Sequence, residues 1–276
     1  MHLWQVARGD YGWLTPDLAI YRDYDLGDAR EVATGIDGVV LVQAAPTEAE
    51  TDFLLDIARH SDGFVRGMVG WTDLAAADAP ERIAALSRDK LLKGLRPMLQ
   101  DIADPDWVLR DDVARGLDAM TKAGLALDLL IRPVHLPRCI RLAERHPGLA
   151  MVIDHCAKPN IAGGAFAPWA DAIGAVAGQT AMRCKLSGLV TEAEGDAGLD
   201  DIAPYVRHAI RAFGPDRLIW GSDWPVLTLA SGYETWRAAA EALVRQELPL
   251  AEASVFGGNA ARFYRLGGLE TDLPSK

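Results

Sequence analysis

Short apolar runs alternate with amphipathic stretches along almost the whole chain. Gly38–Ala44, Gly67–Leu74, Leu92–Leu99, Leu125–Ile131, Met151–Ala157, Ala181–Gly188 and the run Leu218, Ile219, Trp220 have the length and bulk of buried strands. Helical patterns separate them. Thr47-Glu48-Ala49-Glu50 reads as a capping box opening a helix to about His60. Asp78-Ala79-Pro80-Glu81 caps a second helix, with Pro80 in its first turn. Further helices are predicted from about Asp106 to Gly124, in the segment closed by Pro147-Gly148, and over Trp169–Gly178, Leu199–Phe213 and Tyr233–Leu248. A short one lies around Arg262–Tyr264, and residues 5–24 look irregular. His2-Leu3-Trp4 reads as the end of one more strand. Eight buried strands alternating with helices predict parallel pairing under a helical cover. That count fits an α/β (β/α)8 TIM barrel better than an open doubly wound sheet, whose Gly-rich phosphate loop is missing. With no linker or composition break, residues 1–276 read as a single domain.

Composition narrows the partners. A formal charge of −11 argues against nucleic acid, which favours a basic face. No apolar stretch approaches the ~20 residues of a membrane span, and Met1 runs straight into His2-Leu3-Trp4-Gln5 with no leader-like pattern. Cys139, Cys156 and Cys184 are odd in number and set among apolar residues, so they read as reduced packing residues of a cytoplasmic protein. A homo-oligomer is left open.

Barrels of this kind build their sites where the strands end. The exits deliver His2; Gln43; Trp71 and Asp73; Arg96 and Gln100; Arg132 and His135; Asp154, His155 and Lys158; Lys185 and Ser187; and Asp223 with Trp224. Asp223 follows the run ending at Trp220, where a carboxylate costs free energy unless it is paired, hydrogen-bonded or metal-bound. A helix cap or structural ion pair is the ordinary fate of such an acid. The ionisable groups at the other exits favour a working acid/base. His155 ends Val152-Ile153-Asp154-His155, and strand alternation predicts that Ile153 and His155 face the barrel interior while Asp154 points away. Arg96 and Lys185 are either ion-paired or free to bind a carboxylate or polarise a carbonyl. Gln43 either satisfies loop backbone or binds hydroxyls. His60, His146 and His208 are assigned to solvent-facing helix positions, and His135 to a helix start or the site.

Gly-Ser-Asp-Trp-Pro-Val from Gly221, Ile-Asp-His-Cys-Ala-Lys-Pro from Ile153, Cys-Lys-Leu-Ser-Gly from Cys184 and Gly-Leu-Arg-Pro from Gly94 resemble the amidohydrolase-related sugar lactonases. The opening His2-Leu3-Trp4 and Tyr11-Gly12-Trp13-Leu14 are similar to that group as well, whose members include L-fuconolactonase- and L-rhamnonolactonase-like enzymes. The resemblance implies hydrolysis of a small-molecule lactone to the aldonic acid in carbohydrate catabolism, on a (β/α)8 barrel. Its histidine of the sixth strand falls on His155 and its acid of the eighth on Asp223. Arg96, Lys185, Gln43, Trp224 and Trp71 are the substrate-binding candidates. The group usually opens with His-x-His, of which His2 matches the second histidine and the first falls ahead of Met1. One divalent metal, Zn²⁺ or Mn²⁺, held by His2, His155 and Asp223, is implied by some relatives, while others work without one. In the expected mechanism Asp223 takes a proton from water and returns it to the leaving alkoxide. His155, with Arg96 or Lys185, stabilises the oxyanion. Two alternatives stand beside this: a decarboxylase of the same superfamily, and a catalytically silent sugar-acid-binding barrel. Substrate choice is assigned to the loops Gln5–Tyr24 and Thr191–Leu199.

Overall fold

In the computed structural model, residues 1–193 and 198–267 are described; residues 194–197 of the expected loop Thr191–Leu199 lie outside them. The apolar runs form seven strands, β1 Val39–Val42, β2 Val65–Gly70, β3 Leu92–Leu95, β4 Ala126–Leu129, β5 Met151–Ile153, β6 Arg183–Leu186 and β7 Leu218–Trp220. They pair in sequence order, each parallel to the next. The helices are α1 Leu26–Val32, α2 Glu48–Arg59, α3 Ala79–Leu86, α4 Asp111–Ala123, α5 Leu136–Arg145, α6 Phe166–Gln179, α7 Leu199–Phe213, α8 Tyr233–Glu247 and α9 Asn259–Tyr264. Short helices α2 to α7 link successive strands, which is what parallel pairing demands.

Two apolar layers follow. The larger joins the outward face of the sheet to the helices and takes in Leu41, Met68, Leu127, Ile153, Cys184 and Leu218. The smaller lines the inner face with Val42, Val69, Ala126, Val152 and Ile219, and Phe263 and Tyr264 of α9 close it. This parity corrects the expectation for β5. Val152 packs inside and Ile153 outside, so Asp154, in step with Val152, is the residue that points inward. Both faces of a covered parallel strand are apolar, and the pattern alone does not distinguish them.

The expected first strand does not form as a strand. Its residues stand between β1 and β7, where Val42 N–H donates to Met1 O (3.0 Å), the Met1 amine to Val40 O (3.2 Å) and His2 N–H to Trp224 O (2.7 Å). Trp4 instead makes an antiparallel bridge with Tyr24. The predicted strand Leu92–Leu99 stops at Leu95, because Pro97 has no N–H to offer a ladder. Helix α1 was not predicted; Asp25 and Asp28 cap it reciprocally. His60 is exposed as expected, but His146 is buried against Asp118, and the His208 ring packs on Trp169 and Phe166. His135 bonds the Arg132 backbone at a helix start.

Only half of the capping box at Thr47 is present. Its hydroxyl accepts from Glu50 N–H (3.1 Å), but the Glu50 carboxylate turns to Tyr11 O–H (2.6 Å) and Ala44 N–H (3.2 Å), tying the loop over residues 5–24 to the exit of β1. Burial pushes Glu50 up to about 7. The folded protein therefore binds this proton more tightly than the unfolded chain, and stability is lost as pH rises from the ordinary carboxyl range through 7. Relative to Glu50→Gln, wild-type stability is expected to fall by up to about 3 kcal/mol between pH 5 and 8, at ~1.36 kcal/mol for each tenfold difference in proton affinity. Urea melts of both proteins across that range check it; parallel pH profiles would rule it out.

Candidate active site

The inward faces of β4, β5 and β6 carry charge just below the rim. Asp128, Asp154 and Lys185 are all buried there, joined by Arg96 from the exit of β3. Arg96 Nη1 lies 3.2 Å from Asp154 Oδ2, and its Nη2 donates to Gln43 O. Lys185 Nζ pairs with Asp128 and stands 2.7 Å from Asp154 Oδ1, an ion pair rather than an aligned hydrogen bond. Tyr264 O–H donates to Asp128 Oδ2 (2.7 Å) from α9. Burial opposes the Asp154 charge, but Lys185 and Arg96 outweigh it and hold its carboxyl well below the usual range. For Asp128 burial prevails and the carboxyl is raised.

Above this network stand His2, His155 and Asp223. His2 Nε2 is 3.1 Å and His155 Nε2 3.7 Å from Asp223 Oδ1. The other ring nitrogens are engaged, His2 Nδ1 with Val42 O (2.8 Å) and His155 Nδ1 with Ser187 Oγ (2.9 Å). A carbonyl only accepts, so His2 carries its proton on Nδ1 and turns the Nε2 lone pair toward Asp223. Burial pushes His155 down to about 4 and lowers His2 as well. Burial also opposes the Asp223 charge, yet the neighbouring His155 and His2 overcome it and keep the carboxyl far below the ordinary value. Asp223 is thus ionised at neutral pH, with His155 and His2 as the groups that hold its charge.

Neither His155 nor Asp223 sits on a strand. β5 ends at Ile153, and His155, Cys156, Ala157 and Lys158 all have φ between 50° and 62°. Asp223 follows with φ 56°. L-residues avoid this left-handed region, and strained positions of the kind cluster at sites that need a particular side-chain aim. The left-handed turn is how His155, on the wrong parity for a strand, reaches the interior. Gly188 (φ 64°) makes room for it: a Cβ there would stand 2.5 Å from His155 Nδ1.

A cavity of ≈ 590 Å³ opens at this point, lined by His2, Arg96, Asp154, His155, Lys185 and Asp223 among others. Three of the predicted binding residues lie elsewhere. Gln43 is fully buried and donates Nε2 to Arg96 O (2.8 Å). Trp224 packs edge-on against Tyr24, and the Trp71 backbone bonds Thr51. None of the three lines the cavity. Asp128 and Tyr264 were missed as members of the charged set, and Asp154, named at its exit, was expected to point away from it. Asp128 was visible as the lone charge inside the apolar run Leu125–Ile131; Tyr264 carried no signal.

A curled parallel sheet with an acid, two histidines and paired cations at its strand exits defines an amidohydrolase-like site. The amidohydrolase family profile matches residues 2–266, and the chain belongs to that family. It is 45% identical over 272 residues to the L-fucono-1,5-lactonase of Burkholderia ambifaria, covering 96% of this chain and 93% of that protein. It is 37% identical to the L-fucono-1,5-lactonase of Burkholderia multivorans, covering 96% of this chain and 94% of that protein. An amidohydrolase from Burkholderia multivorans, crystallised with bound zinc, superposes with a TM-score of 0.90 at 35% identity, covering 96% of this chain and 97% of that one.

Gly188→Ala is expected to force the His155 ring off Ser187 while straining its own backbone by ~1–3 kcal/mol. A fall in melting temperature of roughly 2–4 °C per kcal/mol and a moved His155 imidazole resonance check it. An unmoved ring would show that Gly188 does not set its seat.

Proposed function

We propose that this chain hydrolyses L-fucono-1,5-lactone, or a sugar-acid lactone close to it, to the open aldonic acid. Hydrolysis of a sugar-acid lactone agrees with relatives 45% and 37% identical over nearly the whole chain. The observation that carries the reading is the buried Asp223 carboxylate, within 3.7 Å of two imidazole nitrogens at the head of the cavity. No such observation favours decarboxylation. The 5-carboxyvanillate decarboxylase from Novosphingobium aromaticivorans, at 15% identity, shares the fold alone.

A lactone needs a positioned water, a base and a stabilised oxyanion. Asp223, ionised at neutral pH, accepts the proton of the attacking water and returns it to the ring oxygen as the C–O bond breaks. Arg96 and Lys185 both line the cavity, Arg96 paired with Asp154 and Lys185 with Asp128 and Asp154. Their positive charge stabilises the charge that develops on the carbonyl oxygen. Gln43 acts one step back, by fixing Arg96.

Among the described residues no group of three or more His, Cys, Asp or Glu forms a ready cation cage. The donor chemistry nonetheless suits one. Val42 O takes the His2 Nδ1 proton and Ser187 Oγ engages His155 Nδ1, which leaves the two Nε2 atoms and a carboxylate oxygen directed at one another, N and O donors of the kind that Zn²⁺ takes. A divalent cation held by His2, His155 and Asp223 would polarise the carbonyl and acidify the water.

Asp223→Asn is expected to lower kcat/KM on L-fucono-1,5-lactone by at least ~10²-fold, the general-base contribution. A pH-indicator assay at neutral pH reads it, run with and without chelator. Near-wild-type turnover by Asp223→Asn would end this mechanism.

A further inference from the structure

Helix α9 carries one phenol deep into the sheet. Asn259 opens it, fully buried, with Nδ2 donating to Pro215 O and Leu218 O (both 2.7 Å), which pins the helix to the start of β7. Phe263 and Tyr264 then enter the inner apolar layer, where Tyr264 is buried. A buried phenol needs a partner for its O–H. Among the described residues that partner is Asp128 Oδ2, 2.7 Å away. Lys185 Nζ donates to the same oxygen, while Asp128 Oδ1 has no hydrogen-bond partner among the described residues. One carboxylate oxygen thus takes two donors, one on α9 and one on β6.

The two donors differ in stiffness. Lysine carries its ammonium on a flexible four-carbon stem, whereas a tyrosine ring has only two torsions to settle. The Tyr264 ring also lies 5.8 Å from Lys185 Nζ, within the range at which a cation feels an aromatic face. On the other side Asp154 Oδ1 stands 2.7 Å from Nζ. Between these contacts Lys185 lines the cavity, 9% exposed. Burial raises the Asp128 carboxyl, and Lys185 and the Tyr264 hydroxyl work against that. Without the hydroxyl, Asp128 comes closer to taking a proton, and Lys185 to losing one of the two anions that outweigh its burial. A phenylalanine would fill the same space, and apolar packing is often as stable as a buried ion pair. The hydroxyl therefore serves something other than packing.

We propose that Tyr264 is a positioning residue: acting through Asp128, its hydroxyl holds the Lys185 ammonium at the cavity wall, where charge develops on the substrate carbonyl. The effect on rate rests on the lactone hydrolysis proposed above; the hold on Lys185 does not. Lys185 acts on charge that appears only in the transition state, so loss of the hydroxyl falls on kcat and spares KM.

Tyr264→Phe is expected to lower kcat on L-fucono-1,5-lactone about 10-fold, with KM changed less than about 2-fold, the scale of losing an outer-shell partner. Asp128→Asn is expected to lose at least as much. The double variant is expected to fall no more than about 2-fold below Asp128→Asn, because the two residues act in one chain. In the resting protein, nitrogen-15 NMR of the lysine ammonium groups reads the hold directly. The Lys185 signal, identified by its absence from Lys185→Arg, is expected to exchange its protons at least about 10-fold faster in Tyr264→Phe. Unchanged kcat, losses that multiply in the double variant, or equal exchange at Lys185 in both proteins would each overturn the proposal. A wild type silent on lactones ends the lactonase reading alone, since exchange at Lys185 is read without substrate.

Discussion

A carboxylate sealed inside a parallel sheet has to find its counter-charges within reach, and everything at the top of this fold depends on how Asp154 does so. Arg96 and Lys185 hold its two oxygens, Lys185 also holds Asp128, and Tyr264 holds Asp128 from below. Through Gln43 the same network reaches the exit of β1. Five strands and the closing helix α9 are thereby tied at one level. Breaking such a buried pair by removing one partner costs ~3–5 kcal/mol, because the survivor is left uncompensated. The network adds little as net stability compared with an apolar core. What it fixes is the height at which each strand leaves the sheet, and so where the loops place their side chains.

That fixed height lets two strained elbows persist. His155 and Asp223 are both held at positive φ, where an L-residue gives up of order 1–3 kcal/mol unless its surroundings over-determine it. Asp154 anchors the residue before the first elbow, and Ser187 with the bare Cα of Gly188 shapes the seat of the His155 ring. The consequence is electrostatic. In a site this buried the acid stays ionised because His155 and His2 stand against it, so Asp223 is able to take up a proton.

Much of this was legible in the sequence, and the failures have physical reasons. Helix α7 falls at its predicted ends because Gly214-Pro215 stops it unambiguously. The strands came out shorter than predicted wherever the apolar run continued into a loop that is itself buried, as in Leu129-Leu130-Ile131. His155 and Asp223 were found as strand-exit groups, but the route by which His155 turns inward was not. Strand alternation gave the opposite parity, and no residue preference marks a left-handed turn through His, Cys, Ala and Lys. Gln43 and Trp224 were placed at the right exits and given the wrong neighbours. A sequence shows that a polar or aromatic side chain must be satisfied, not whether a ligand or a neighbouring arginine satisfies it.

His2 poses the remaining question of how a residue near the chain's first described position is aimed as well as one on a strand. Two residues on, Trp4 is fully buried and packs against Trp13, Tyr24 and Tyr11 with ring centroids 5.4, 5.1 and 6.3 Å away. Tyr24 in turn meets Trp224 at 5.1 Å, edge to face. Aromatic pairs of this kind contribute about 0.5–1.5 kcal/mol each beyond the area they bury. They form a continuous bracket from the chain start to the loop carrying Asp223. Trp224 thus serves the site from outside the cavity: by gripping Tyr24 while its carbonyl accepts His2 N–H, it sets the spacing between His2 and Asp223. The separation of 3.1 Å between His2 Nε2 and Asp223 Oδ1 is therefore maintained by apolar packing on one side and by the Val42 carbonyl on the other.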